Sequence, residues 1–183
     1  MRICSIAISL LCLTTLLFAS PNESSEKSKL RPIRSGDIYR ATSVFLQRNQ
    51  SEEFAVQIME PVYRASEIVM IRQMPEANKL AAEIAQSLSM IEDTVPQLGY
   101  IAARAFMHRP DLFHGSLATL NDDDRAKSIA KIYVGWVAVK SDLESNPQTS
   151  TSTRVRISAF DNILNAWKNR YPKYLPQRYK PGA

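Results

Sequence analysis

Between residues 36 and 171 the apolar positions recur every three to four residues, and no stretch keeps the two-residue alternation of a half-buried strand. The pattern predicts helices. Ile38, Ala41, Thr42, Phe45 and Leu46 make a first short amphipathic helix ending near Asn49. Ser51, followed by Glu52 and Glu53, caps a second, because a hydroxyl and two carboxylates suit the positive end of a helix dipole. Its stripe runs Phe54, Ile58, Val62, Ala65, Ile68 and Val69, with Pro61 expected to kink it or to start a new helix.

The clearest stripe follows Pro75: Ala77, Leu80, Ala81, Ile84, Leu88, Ile91 and Val95 share one face over about five turns. Pro96 ends or bends that helix. A fourth, from Leu98 to about Met107, carries Gly99, Ala102, Ala103 and Ala105, small residues that let a neighbouring helix approach closely. Pro110 is expected to close it, leaving Asp111–Leu120 as a connector. Asn121 or Asp122 caps a fifth helix, to about Leu143, with Ala126, Ile129, Ala130, Tyr133, Trp136 and Val137 inward. Gly135 in its middle costs about 1 kcal/mol relative to alanine, so a tight packing contact is expected there. After a polar tract from Asn146 to Thr153, a sixth helix turns Ile157, Phe160, Ile163, Leu164 and Trp167 inward. The fold class expected is all-α, a single antiparallel bundle of five to six helices over residues 36–171.

The ends of the chain differ from this pattern. Met1-Arg2 precedes an apolar run from Ile3 to Phe18 and then Ala19-Ser20-Pro21. One basic residue, a short apolar core and a small residue before a polar segment describe a signal peptide over residues 1–19, which predicts export to a periplasm or the extracellular space; an uncleaved N-terminal anchor is the alternative. Residues 20–35 are polar and poor in large apolar groups, the composition of a disordered leader. Both cysteines, Cys4 and Cys12, fall within the signal, so the mature chain would be cysteine-free and held by apolar burial alone. Sequons at Asn22 and Asn49 would matter only in a host that glycosylates them.

Charge adds a direction. The chain carries +5 overall, and after Glu144 its single acid is Asp161, whereas Arg154, Arg156, Lys168, Arg170, Lys173, Arg178 and Lys180 are basic. Residues 172–183 form an extended tail in which prolines, tyrosines and cations alternate. Arg170, Tyr171, Lys173, Tyr174, Arg178, Tyr179 and Lys180 are the candidate binding residues, for a protein partner or an anionic surface, with peripheral membrane contact included. The competing expectation is that the tyrosines fold back onto the helices. Export argues against nucleic acid as the partner.

Catalytic chemistry finds little purchase. There is no Gly-x-Ser-x-Gly elbow, dinucleotide fingerprint or phosphate loop, so no cofactor is implied. His108, His114, Asp111 and Asp122–Asp124 could be drawn as a metal site, but they lie across a proline at spacings that do not suit paired ligands; a dipole-complementing cap is the simpler account of the aspartates. Glu144-Ser145 resembles the helix-end general acid of lysozyme-like peptidoglycan-cleaving enzymes, without that family's downstream Gly-Leu-Met-Gln type segment. The leading function is a non-enzymatic exported binding protein. The alternatives are a carrier of a small apolar ligand lined by Phe54, Met59, Met70, Met74, Met90, Phe106 and Met107, and a hydrolase using Glu144 or Asp111.

Overall fold

A computed structural model describes residues 33–48, 50–91 and 95–182. The expected signal peptide, most of the leader, both cysteines and both sequons lie outside the described residues. Within them the chain is all-helical: α1 (Asp37–Gln47), α2 (Glu52–Ile58), α3 (Glu60–Ile71), α4 (Ala77–Met90), α5 (Pro96–His108), α6 (Pro110–Ala118), α7 (Asp122–Ser145) and α8 (Thr151–Arg170), then one 3-10 turn at Gln177–Tyr179. No described helix is long and apolar enough to cross a membrane.

The caps follow the sequence chemistry. Ser51 Oγ accepts from the Phe54 amide at 3.3 Å, Asn121 Oδ1 from the Asp124 amide at 2.9 Å, and Ser150 Oγ from the Thr153 amide at 3.2 Å. Each satisfies one of the orphan donors of a first turn. The start of α1 is held differently. Gly36 sits at φ 90°, in the left-handed region that a side chain disfavours, and its amide donates to Glu83 Oε1 of α4 at 2.7 Å, beside Ser35 Oγ at 2.8 Å.

Eight helices stand among the described residues where five to six were expected, because prolines open helices. Pro110 opens α6 instead of closing the chain into a connector, since proline at a first turn sacrifices an amide that has no partner there. Leu112, Phe113, Ser116 and Leu117 form its buried face. Likewise Pro96 opens α5, while Pro61 falls in the first turn of α3 and divides the second expected helix in two.

The face buried by α2 and α3 is also rotated by about one position from the expected stripe. Ala55, Met59, Tyr63, Ser66, Glu67, Val69 and Met70 are buried, whereas Ile68 is 50 % exposed. The physical reason is cross-helix polar pairing. Tyr63 Oη donates to Ser87 Oγ at 2.9 Å, Ser87 Oγ shares a second bond with Thr42 Oγ1 at 2.6 Å, and Glu67 receives both nitrogens of the Arg104 fork. Burying these groups satisfied is compatible with a stable core; burying Ile68 in their place would leave them without partners. Burial pushes the Tyr63 hydroxyl well above the ordinary phenol range, with the Ser87 bond a smaller opposing effect.

Among the described helices α5 and α7 share the most extensive contact. A side chain on Gly135 would collide with the backbone of Gly99 and Tyr100, and one on Gly99 with the backbone of Lys131, each closer than 3.0 Å. The tight contact expected at Gly135 is therefore present, and its partner is the small-residue helix. Around it Trp136 packs edge-on to Phe160 at 5.0 Å, and Phe113 packs the same way on Phe106 and Phe160, each at 5.4 Å. Such T-shaped pairs add about 0.5–1.5 kcal/mol beyond the area they bury. The α4 stripe is buried as expected, with Ile84 fully enclosed.

Candidate binding face at the C-terminal segment

Past α8 the prolines at 172, 176 and 181 prevent helix propagation, and the backbone makes two tight turns, Leu175 N–H to Pro172 O at 3.2 Å and Tyr179 N–H to Pro176 O at 2.8 Å. These turns carry the segment back over the outer side of α7. Leu175 is the wedge: it is 3 % exposed among polar neighbours in sequence.

Polar anchors surround the wedge. Tyr171 Oη accepts from Arg125 Nη1 at 2.8 Å, and its ring stacks on Trp167 at 5.7 Å, with the guanidinium groups of Arg125 and Arg170 at 5.3 and 5.5 Å from its centroid. Lys173 Nζ and Tyr174 Oη both donate to Asp123 Oδ1, at 2.6 and 2.8 Å, while Lys127 reaches the other carboxylate oxygen at 2.9 Å. Asp123 is thereby held well below the usual carboxylate range, chiefly by the Lys173 bond, then by Lys127 and Tyr174. Lys173 is raised above the ordinary lysine value by the same bond. The tail carries no acid of its own, and Asp123, fifty residues upstream of Lys173, supplies the carboxylate.

A second cluster lies beyond the anchor. Tyr179 meets Tyr133 of α7 edge-on at 5.4 Å; Lys168 Nζ stands 4.7 Å above the Tyr133 ring and donates to its hydroxyl at 3.2 Å; the Arg178 guanidinium lies 4.7 Å over Tyr179. Cations spread over aromatic faces keep their charge while their stems are held in place. Lys168, Arg170, Arg178 and Lys180 have no ion pair among the described residues.

Seven candidate residues thus divide into two groups. Tyr171, Lys173, Tyr174 and Tyr179 contact the helices, so the tyrosines fold back onto them, and Arg170, Arg178 and Lys180 are left without an ion pair among the described residues. Tyr133, Lys168, Asp123, Arg125 and Lys127 were missed as members of the site. Lys168 was visible as part of the basic C-terminal fifth, but the others lie 35 or more residues from their partners in the chain and carry no local signal.

The other chemistry-bearing residues do not converge. His108 Nδ1 lies 3.1 Å from Arg156 Nη1, and His114 Nδ1 accepts from Trp167 Nε1 at 3.0 Å. Among the described residues no three His, Cys, Asp or Glu side chains are grouped as a metal site would require. Asp111 is clamped by both Arg109 nitrogens at 2.9 and 2.6 Å, which holds its carboxyl below the ordinary value and leaves it a poor proton donor. It borders an open recess of about 420 Å³ between α4 and α6. Glu144 borders another, of about 460 Å³, at the junction of α7 and α8. A third recess, of about 140 Å³, lies under Tyr174 and Pro176 against Pro96, Gly99 and Val134. None of the residues expected to line a ligand cavity, from Phe54 to Met107, borders any of the three. No protein-family model matches the chain, and no curated protein and no solved structure is significantly similar to it.

Proposed function

We propose that this is an exported, non-enzymatic protein, an antiparallel helical bundle whose C-terminal segment and the end of α8 form a fixed cationic face for an anionic lipid surface. The observation that carries the proposal is the Lys168–Tyr133–Tyr179–Arg178 array together with Arg170 and Lys180: four cations without carboxylate partners among the described residues, three of them held over tyrosine rings. Protein surfaces that bear basic residues in this way are attracted to acidic head groups, by about 1 kcal/mol for each Lys or Arg near the surface. Tyrosine suits the same boundary because one end is apolar and the other polar. Docking through Asp123, Arg125 and Leu175 supports a preorganised face, since residues already ordered lose less entropy on binding.

The test is co-sedimentation with vesicles containing phosphatidylglycerol against neutral phosphatidylcholine vesicles. The protein is expected to pellet with the acidic vesicles at low salt and to be released as salt rises. Changing Lys168, Arg170, Arg178 and Lys180 together to glutamine should weaken binding by about three orders of magnitude, on the basis of about 1 kcal/mol per cation. Equal pelleting by that variant would defeat the proposal.

A further inference from the structure

The end of α7 and the start of α8 border the open recess of about 460 Å³, within the size range of small-molecule sites. Its walls combine two carboxylates, Glu144 and Asp161, two cations, Lys140 and Arg154, and the apolar side chains of Leu143 and Ile157. One pair is internally satisfied. Asp161 accepts from Trp136 Nε1 at 2.8 Å and from Lys140 Nζ at 3.0 Å, which fixes it as a rigid back wall.

Glu144 and Arg154 are different, because neither has an ion pair among the described residues although both border the same recess. Each also stands against the field of its own helix. Glu144 is next to last in α7, where the unsatisfied carbonyls already make a negative end, and Arg154 is fourth in α8, where the amides make a positive one. The last turn of α7 holds no base and the first turn of α8 no acid to offset these placements. The recess is therefore bordered by an acid and a base that have no ion pair among the described residues, together with the apolar Leu143 and Ile157; Lys140, one turn before Glu144, is shared between Glu144 and Asp161.

We infer that this recess binds a free α-amino acid with an apolar side chain. The ammonium group would be met by Glu144, the carboxylate by Arg154, and the side chain by Leu143 and Ile157. Charges of both signs on one small molecule relieve both unfavourable placements together, which a simple anion or cation would not do. Along α7 the site lies about 16 Å from Tyr133 of the cationic face, at 1.5 Å per residue.

The experiment is an NMR titration of the 15N-labelled full-length chain with L-leucine. The Trp136 indole cross-peak, bonded to the back wall, should move saturably with a Kd of about 1 mM or tighter, while that of Trp167, away from the recess, stays fixed. N-acetyl-leucine and leucinamide, each lacking one charge, should bind at least about tenfold more weakly. Glu144→Gln should weaken leucine and leucinamide but not N-acetyl-leucine, and Arg154→Gln should weaken leucine and N-acetyl-leucine but not leucinamide. Both side chains are exposed, so the variants should fold, which circular dichroism checks. The absence of a saturable shift up to about 20 mM leucine, or equal binding by the blocked analogues, would overturn the assignment.

Discussion

Replacing Gly135 by alanine tests the central packing contact. In an exposed helix the change would stabilise by up to about 1 kcal/mol through propensity alone. Here the new methyl would meet the backbone of Gly99 and Tyr100 at less than 3.0 Å, and backbone cannot swing aside as a flexible side chain can. Restoring ordinary contact at 3.4–4 Å requires α5 and α7 to separate on the order of 1 Å, in an interior packed as densely as an organic crystal. Overpacking of this kind costs about 1–3 kcal/mol and occasionally more; at a backbone-to-backbone crossing the upper end applies. After subtracting the propensity gain, the net loss should be about 2 kcal/mol or more, a fall in Tm of roughly 4–8 °C for a domain of this size. The control is Gly115→Ala in α6, where an added methyl meets nothing within 4 Å and should stabilise by about 0.5–1 kcal/mol. Urea unfolding followed by far-UV circular dichroism measures both, with unchanged slope showing that stability alone has altered. The same sign for the two variants would refute the close crossing.

Three further outcomes are expected. Ile84→Ala, at a fully enclosed position of α4, should cost about 2–5 kcal/mol in the same assay. His108 is held below its ordinary pKa, first by burial and then by Arg156, with Arg104 adding to the effect and Glu67 opposing it; its contribution to stability is therefore present above about pH 6.5 and lost as pH falls through the lowered value, a dependence that His108→Gln should flatten. The Asp123 latch has a lowered carboxyl and a raised Lys173, so its contribution persists from about pH 4 to about pH 10, is lost as acid titrates through the lowered value or base through the raised one, and weakens in salt; limited proteolysis at residues 172–182 across pH and salt checks it.

How far these features were legible depended on the range of the interaction that fixes them. Caps and the α4 stripe are local: Ser51 and Asn121 sit at their expected positions, and Ala77 to Ile91 bury in the expected order, because a period of 3.6 residues is written directly in the chain. Gly135 was also readable, since a glycine inside a long helix needs a reason. The rotation of α3 was not, because Tyr63, Ser66 and Glu67 look like outer-face residues until Ser87 and Arg104 are brought beside them. Proline misled at α6, where one residue marks either a stop or a start. For the C-terminal segment the basic and aromatic composition was plain, but Asp123 and Tyr133, which decide where it lies, are distant in sequence.

The proposed contact of one fixed face with anionic lipid can be followed residue by residue. In a 15N NMR titration with anionic phosphatidylglycerol bicelles, the account predicts that amide and side-chain signals of Lys168, Arg170, Arg178, Tyr179 and Lys180 shift or broaden first. Signals of Asp123, Lys173 and Leu175 should keep the pattern of the docked segment, and those of α1 to α4 should stay unchanged. Perturbation centred on α1 to α4, or loss of the Leu175 contact before any binding, would contradict it.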